Sequence, residues 1–187
     1  MKKAIILMIT VFTINGFSAQ VLNNKVGSFF TNKEIKNLVF NQYNLDTEIA
    51  AVSKIKGKGE DAVSKADADA KKGVQNGARD YAYEILNEYL NGSLVSGPGF
   101  NTFKMREFAN EVAKEVAPNA QRRGSWTTSK NETVVLYTID KQLVKSSAER
   151  IFNERLAAVI QKLSDYKNNF GQTNRSGGEE VRVETAE

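Results

Sequence analysis

The chain has 187 residues, 26 basic and 22 acidic side chains and a formal net charge of +4, with no histidine and no cysteine. The missing residue types exclude imidazole bases, thiol nucleophiles, disulfides and the usual zinc ligands, and we predict neither a metal nor another cofactor. The length suits one domain that buries a core without cross-links, and the nearly balanced charge gives no indication of nucleic-acid binding.

Residues 1–19 have the pattern of a secretory signal peptide. Lys2 and Lys3 precede an apolar run, and small residues follow it, which predicts cleavage after Ser18 or Ala19. The run is shorter than the ~20 apolar residues of a membrane span, and no other long apolar run follows. We therefore expect an exported protein, periplasmic, outer-membrane associated or secreted, with no transmembrane span after cleavage.

Residues 20–46 are predicted to form an N-terminal extension with one short helix. Thr31 and Glu34 fit a capping box, and the apolar residues after them follow at helical spacing. This places the helix at about residues 32–41. Residues 47–56 carry apolar side chains in alternation and are predicted to be a strand.

The longest periodic segment, residues 54–92, predicts a glycine turn and then one long helix. The helix is expected to start at Asp61 or Ser64 and to end at Gly92, because glycine takes the left-handed conformation at a helix C-terminus without strain. Small and apolar residues recur every three or four positions on the side predicted to face a core: Ala62, Ala66, Ala70, Val74, Ala78, Tyr81 and Ile85.

The second half of this helix is apolar on two sides. Tyr83, Leu86 and Leu90 lie on the side away from Tyr81 and Ile85, so both sides must be covered. A second helix of the same chain would cover the three residues, and so would a subunit interface. We predict Tyr83, Leu86 and Leu90 as candidate interface residues, with other envelope proteins or a second copy of the chain as the partner.

The C-terminal half of the chain predicts two more helices. Asn101 is expected to cap the first, and Pro118 ends it because proline disfavours helical geometry in the residue before it. The last helix is predicted to begin at Asp140 or Ser146 and to be amphipathic over about six turns. Residues 171–187 contain few apolar side chains and are predicted to be a disordered tail.

Between these helices, residues 122–128 and 133–139 are β-branched and aromatic runs that predict an antiparallel hairpin. If the last residue of the first run pairs with the first residue of the second run, Trp126 lies opposite Val135. The second run is apolar on both faces and is expected to be a central, covered strand. Together the elements predict an α+β fold, with a small antiparallel sheet of about three strands packed by two long helices and one or two shorter ones.

Three segments within residues 50–163 share a pattern, in the same element order, with a known family. They are the strand end Ile55-Lys56-Gly57-Lys58-Gly59, the alanine-rich helix with Ala66, Ala70 and Ala78-Arg79, and the Trp126 strand paired with Val134-Val135-Leu136-Tyr137. They resemble the Lpp-twenty family of small bacterial envelope lipoproteins. The resemblance implies an α+β domain at the cell envelope and supplies no catalytic residues. From the elements themselves we predict a single α+β domain at residues 47–170. The lipidation cysteine of the family is missing, so no lipid anchor is expected.

Arg122, Arg123 and Trp126 are the candidate ligand-binding residues. An indole offers a stacking surface and guanidinium groups donate hydrogen bonds, which suits an envelope glycan or an anionic ligand. The only tryptophan of a small domain is also a typical core residue. The Lys56–Gly59 segment before the long helix could bind an anion, but it lacks the glycine patterns of nucleotide-binding loops and is better explained as a turn.

The sequence contains no set of residues that predicts catalysis. Serine hydrolysis without histidine would need a facing lysine, and the Ser-Lys pairs present are adjacent in the sequence. We therefore expect an exported bacterial cell-envelope protein that is not an enzyme and acts as a structural, assembly or surface-interaction component. The alternative is a binding module for an envelope glycan or an anionic ligand.

Overall fold

The computed structural model describes residues 20–22, 33–93, 97 and 99–173. The predicted signal peptide and residues 174–187 of the predicted tail lie outside these ranges. In chain order the elements are β1 (Gln20–Leu22), α1 (Lys33–Val39), β2 (Glu48–Lys56), α2 (Glu60–Gly92), α3 (Thr102–Val116), a 3-10 turn (Ala117–Asn119), β3 (Gln121–Thr127), β4 (Glu132–Asp140) and α4 (Lys141–Thr173).

One antiparallel sheet has the strand order β1-β2-β4-β3. β2 and β4 pair along their whole lengths, from Glu48 opposite Asp140 to Lys56 opposite Glu132. β4 lies inside the sheet and is buried on both faces, as its apolar pattern predicts. Three long strands and the helices confirm the α+β class. β1 is an additional edge strand, and its three residues are too few to show a periodic pattern in the sequence.

α2 packs on one face of the sheet through its small residues and on α3 and α4 through its opposite side. Ala66, Ala70, Val74 and Ala78 are fully buried, which confirms the predicted core-facing side. The approach to the sheet is so close at Gly77 that a Cβ there would lie 2.7 Å from Cγ2 of Ile49. Small side chains along α2 therefore let the helix backbone lie against the strands.

The other face of the sheet carries a smaller core beneath α1, which lies within the predicted helix. Its buried members are Ile35, Val39, Ala50, Val52, Val134 and Leu136. The Glu34 carboxylate accepts hydrogen bonds from the backbone N–H and the hydroxyl of Ser129, at 2.6 and 2.7 Å, and both bonds lower the pKa of Glu34. These bonds tie α1 to the turn between β3 and β4.

The helix starts show which predicted caps are used. Asn101 caps α3 as predicted, since its side chain accepts from the backbone N–H of Lys104 at 2.9 Å. α4 begins directly after Asp140, the earlier of its two predicted starts, and continues past Gly171 because one glycine costs a helix only about 1 kcal/mol. α2 begins before both predicted starts, after Gly59, without a side-chain cap.

Candidate functional site

β3 is an edge strand, and Trp126 lies on its α1 side. In the ladder with β4 it is opposite Val134, so the predicted pairing with Val135 is wrong by one residue. The reason is that Thr128 belongs to the turn, where its hydroxyl accepts a hydrogen bond from the backbone N–H of Glu132 at 3.2 Å. A shift of one residue moves a side chain to the other face of a sheet. The indole is consequently half-buried against the smaller core.

The indole of Trp126 covers the backbone of Gly124. A Cβ built on Gly124 would lie 2.3 Å from Cζ2 and 2.5 Å from Cη2 of the ring. The ring therefore lies along its own strand, where a side chain at position 124 would otherwise be. A ring in this position is a poor stacking surface for a sugar, because the strand and the smaller core cover much of it.

The two predicted binding arginines point to opposite faces of the sheet. A bulge between Arg122 and Gly124 places an extra residue in β3 at this point. Arg122 reaches the helix layer, with Nε 3.2 Å from Oδ1 of Asp67, a separation that allows charge attraction although the groups are not aligned for a hydrogen bond. Arg123 donates to the Thr138 hydroxyl at 2.9 Å and to the Glu48 carboxylate on the other face.

The predicted ligand site therefore does not converge. Only Arg123 and Trp126 share a face, and both guanidinium groups already neutralise carboxylates of the same chain. Alternation along a strand already directs Arg122 and Arg123 to opposite faces. The bulge, which has no distinct signal in one sequence, places Trp126 on the face of Arg123 and not on that of Arg122. The structure assigns these residues to joining β3 to its neighbours.

A polar cluster at Asp67 links α2 to the sheet. The Tyr137 hydroxyl donates to Oδ2 of Asp67 at 2.9 Å, and Lys71 Nζ lies 5.4 Å from the centre of the tyrosine ring. Burial, and then the bond to Asp67, raise the pKa of Tyr137 above its ordinary value. The phenol thus stays protonated at neutral pH, where it holds the helix on the sheet and cannot act as a base.

The second side of α2 is covered within the chain. Leu86 is fully buried, and Tyr83 and Leu90 are partly buried against the main core, which also contains residues of α3 and α4. The Arg106 guanidinium lies 5.6 Å from the centre of the Tyr83 ring. Leu86 therefore has no surface with which to contact a partner. Helices of the same chain therefore cover Leu86, whereas Tyr83 and Leu90 keep part of their surface exposed, and the interface at those two residues stays a prediction.

Two shallow grooves lie at the ends of α2. One, of about 260 Å³, is lined by Lys56, Gly57, Lys58, Asp61 and Lys65 among others. Its lysines include Lys65, which pairs with Asp61 at 2.7 Å. The glycine turn is held to the start of β4 by a bond from the Thr133 hydroxyl to the Gly57 carbonyl at 2.8 Å. This geometry agrees with a structural turn.

The other groove, of about 310 Å³, lies between the end of α2 and α4. Its polar lining includes Glu88, Glu149 and Asn153. Nearby, burial and then the charges of Asp80 and Glu88 raise the pKa of Glu84. The lining also includes Ser93, whose hydroxyl donates to the backbone carbonyl of Leu90 at 3.0 Å and so caps the end of α2.

The distal half of α4 presents apolar side chains to solvent. The proximal half is anchored, because Ala148, Ile151 and Phe152 are buried and Arg155 donates to Glu111 of α3 at 2.8 and 2.9 Å. From residue 160 to residue 168 every residue is exposed. The exposed fractions are 58% for Ile160, 65% for Leu163 and 64% for Tyr166. We call these three residues the distal face.

The distal face was not among the predicted sites. The sequence shows the continuous apolar stripe of α4, but a stripe of this kind predicts burial in a core. No signal in the stripe itself tells how far along the helix the domain covers it.

Comparisons with protein-family models, curated proteins and solved structures found no match. The resemblance to the Lpp-twenty family therefore stays a prediction. Within the described ranges, no three histidine, cysteine, aspartate or glutamate side chains are grouped as a metal site would require. None of the helices in the described part of the chain is long and apolar enough to cross a bilayer.

Proposed function

We propose that the protein is an exported, non-enzymatic component of a bacterial cell envelope that acts through contacts with other macromolecules, made by the distal face of α4. The supporting observation is the exposure of Ile160, Leu163 and Tyr166 on a helix whose first half is anchored in the core. Neighbouring apolar side chains on a polar surface are typical of interaction sites. Export rests on the signal-peptide pattern at residues 1–19.

The anchored half of α4 supports this proposal because it positions the exposed half. Glu115 of α3 accepts from Ser147 at 2.7 Å and from Arg150. These bonds, together with the pair between Arg155 and Glu111, hold α4 on α3 over two turns. A helix held in this way presents its distal face in a defined direction, which lowers the entropy lost when a partner binds.

A glycan or anion-binding module at Arg122, Arg123 and Trp126 has less support. The arginines diverge and the indole is half-buried, so no open polar surface surrounds an exposed ring.

Site-specific photo-crosslinking in living cells tests the proposal. A benzophenone amino acid at position 163 should give discrete adducts on irradiation, because that side chain lies in the centre of the distal face. The matched position is Gln161 on the opposite side of the same turn, where few adducts are expected. Adducts of equal yield at both positions, or none at position 163, would contradict the proposed role.

A further inference from the structure

α4 carries a heptad pattern that continues from the core out of the domain. Phe152, Leu156, Val159, Leu163 and Tyr166 are separated alternately by four and three residues. The first three pack in or against the main core, and the last two are exposed. Spacing of this kind is the pattern by which one helix packs along another. The apolar side by which α4 packs on helices inside the domain therefore continues along the helix beyond the covered part, where it is exposed to solvent.

Two lysines flank the exposed part of this pattern. With Leu156 and Leu163 at position a of the heptad, Lys162 lies at position g and Lys167 at position e. In coiled coils, the side chains at e and g form ion pairs between helices and so determine which helices pair. Neither lysine makes an ion pair within the described residues. Asp165 bonds to Gln161 at 2.9 Å on the far side of the helix. The apolar face is thus bordered by positive charge alone.

The lysines disfavour a second copy of the chain as the occupant. In a parallel pair Lys162 of one copy would face Lys167 of the other, and in an antiparallel pair each of these positions faces its own equivalent. Like charges oppose each other in both arrangements. The distal face is also small: even at roughly 200 Å² for each large side chain, three side chains bury less than the ~800 Å² per partner of a standard stable interface.

A lipid surface fits less well than a helix. Interfacial helices have a wide apolar face and many basic residues on the polar one. Here the opposite side of α4 carries Gln161, Ser164 and Asp165, and the two lysines are its only basic residues between 160 and 168. A narrow stripe with a period of 3.5 residues is instead typical of a helix-helix contact.

We infer that the distal face binds an amphipathic helix of a partner protein, with apolar residues along its centre and acidic residues along both edges. This inference rests on the proposed function, since it names the partner chemistry of the same surface. Carboxylates at the partner's edges oppose Lys162 and Lys167, and its apolar residues cover Leu163. A contact of this small area belongs with the transient interfaces, so we expect it to be reversible.

Two synthetic peptides test the inference on the full chain. Each has about three heptads with leucine and isoleucine in the apolar positions, and the flanking positions are all glutamate in one and all lysine in the other. Isothermal titration calorimetry should show the glutamate peptide binding about tenfold more tightly than the lysine peptide at low salt, with the difference decreasing as salt is added. The double variant Lys162→Glu, Lys167→Glu should reverse this preference.

Matched variants separate the apolar contribution from the charges. Leu163→Asn should abolish binding of the glutamate peptide, whereas Ser164→Ala should leave it unchanged. Both residues are exposed, so neither change removes core packing. Equal affinity for the two peptides, no binding of either, or an unchanged preference in the double lysine variant would overturn the inference.

Other occupants would be recognised by different results. Self-association of the chain that Leu163→Asn abolishes would assign the distal face to a second copy. Sedimentation with phosphatidylglycerol vesicles that Leu163→Asn abolishes would assign it to a membrane, and either result overturns the acidic-helix inference. If the peptides fail while cross-links at position 163 persist, the proposed function stands without this partner chemistry. If neither peptide binds and the cross-links at position 163 are also absent, both the proposed function and the acidic-helix inference are overturned.

Discussion

Replacement of Gly124 by alanine tests how the edge strand holds the only tryptophan. The new methyl group would lie 2.3 Å from Cζ2 of Trp126, far inside ordinary van der Waals contact. The strand backbone cannot give way easily, because Gly124 pairs with Leu136 of the buried strand β4. The ring must therefore leave the position that it occupies over the glycine.

The magnitude follows from two opposing effects. Alanine is favoured over glycine within a strand by about 0.5–1 kcal/mol. Against this, lifting an indole so that roughly 100 Å² of apolar surface returns to water costs about 2.5 kcal/mol. We expect a net loss of about 1.5–2 kcal/mol in the free energy of unfolding, or a decrease in Tm of roughly 3–8 °C for a domain of this size.

Urea unfolding followed by far-UV circular dichroism measures the loss without depending on the altered fluorophore. Because the chain has a single tryptophan, acrylamide quenching and the emission maximum report on Trp126 alone, and Gly124→Ala should increase quenching and shift the emission to longer wavelength. Gly92→Ala is the control, since a Cβ there would meet nothing within 4 Å. Unchanged stability and emission in Gly124→Ala would refute the reasoning.

Three further changes test the core and one ion pair. Gly77→Ala should lower stability by up to about 2 kcal/mol although alanine favours helices, because its Cβ would lie 2.7 Å from Ile49 Cγ2; a higher urea midpoint would contradict this. Leu86→Ala should cost about 2–5 kcal/mol and leave the molar mass in light scattering unchanged, since Leu86 is fully buried; an altered molar mass with normal stability would instead indicate an interface. Hydrogen bonds from Arg150 and then Ser147 lower the pKa of Glu115. The carboxylate therefore stabilises the fold above its unfolded pKa, and this contribution is lost as the pH falls through the lowered folded value. Because the Glu115 side chain is 45% exposed, we expect Glu115→Gln to cost less than about 1 kcal/mol at neutral pH and nothing in strong acid; an equal cost at both pH values would exclude the ionic origin.

The sequence by itself determined the order and type of the long elements. The alanine spacing of α2, the apolar run of β4 and the cap at Asn101 each act over a few residues, so they can be recognised without knowing what packs on them. The same local patterns predicted that α2 is covered on two sides, and its burial against the sheet, α3 and α4 confirms this.

The tertiary structure decided what surrounds each side chain. Thr128 joins the turn and not the strand, which moves Trp126 to the other face, and the bulge at Arg123 leaves Arg122 on the face opposite Trp126. Both depend on pairing with β4, and a sequence does not display the register of its strands. The candidate ligand site was therefore predicted from neighbours in sequence that the sheet directs apart.

The distal face of α4 is a second feature whose surroundings the sequence does not reveal. Leu156 and Leu163 occupy equivalent positions of one apolar stripe, yet the first packs against the core and the second is 65% exposed. The period of a stripe reports which side of a helix is apolar, and it carries no information about where the neighbouring helices end. Only the packing of α4 against α2 and α3 decided which part of that stripe is left for a partner.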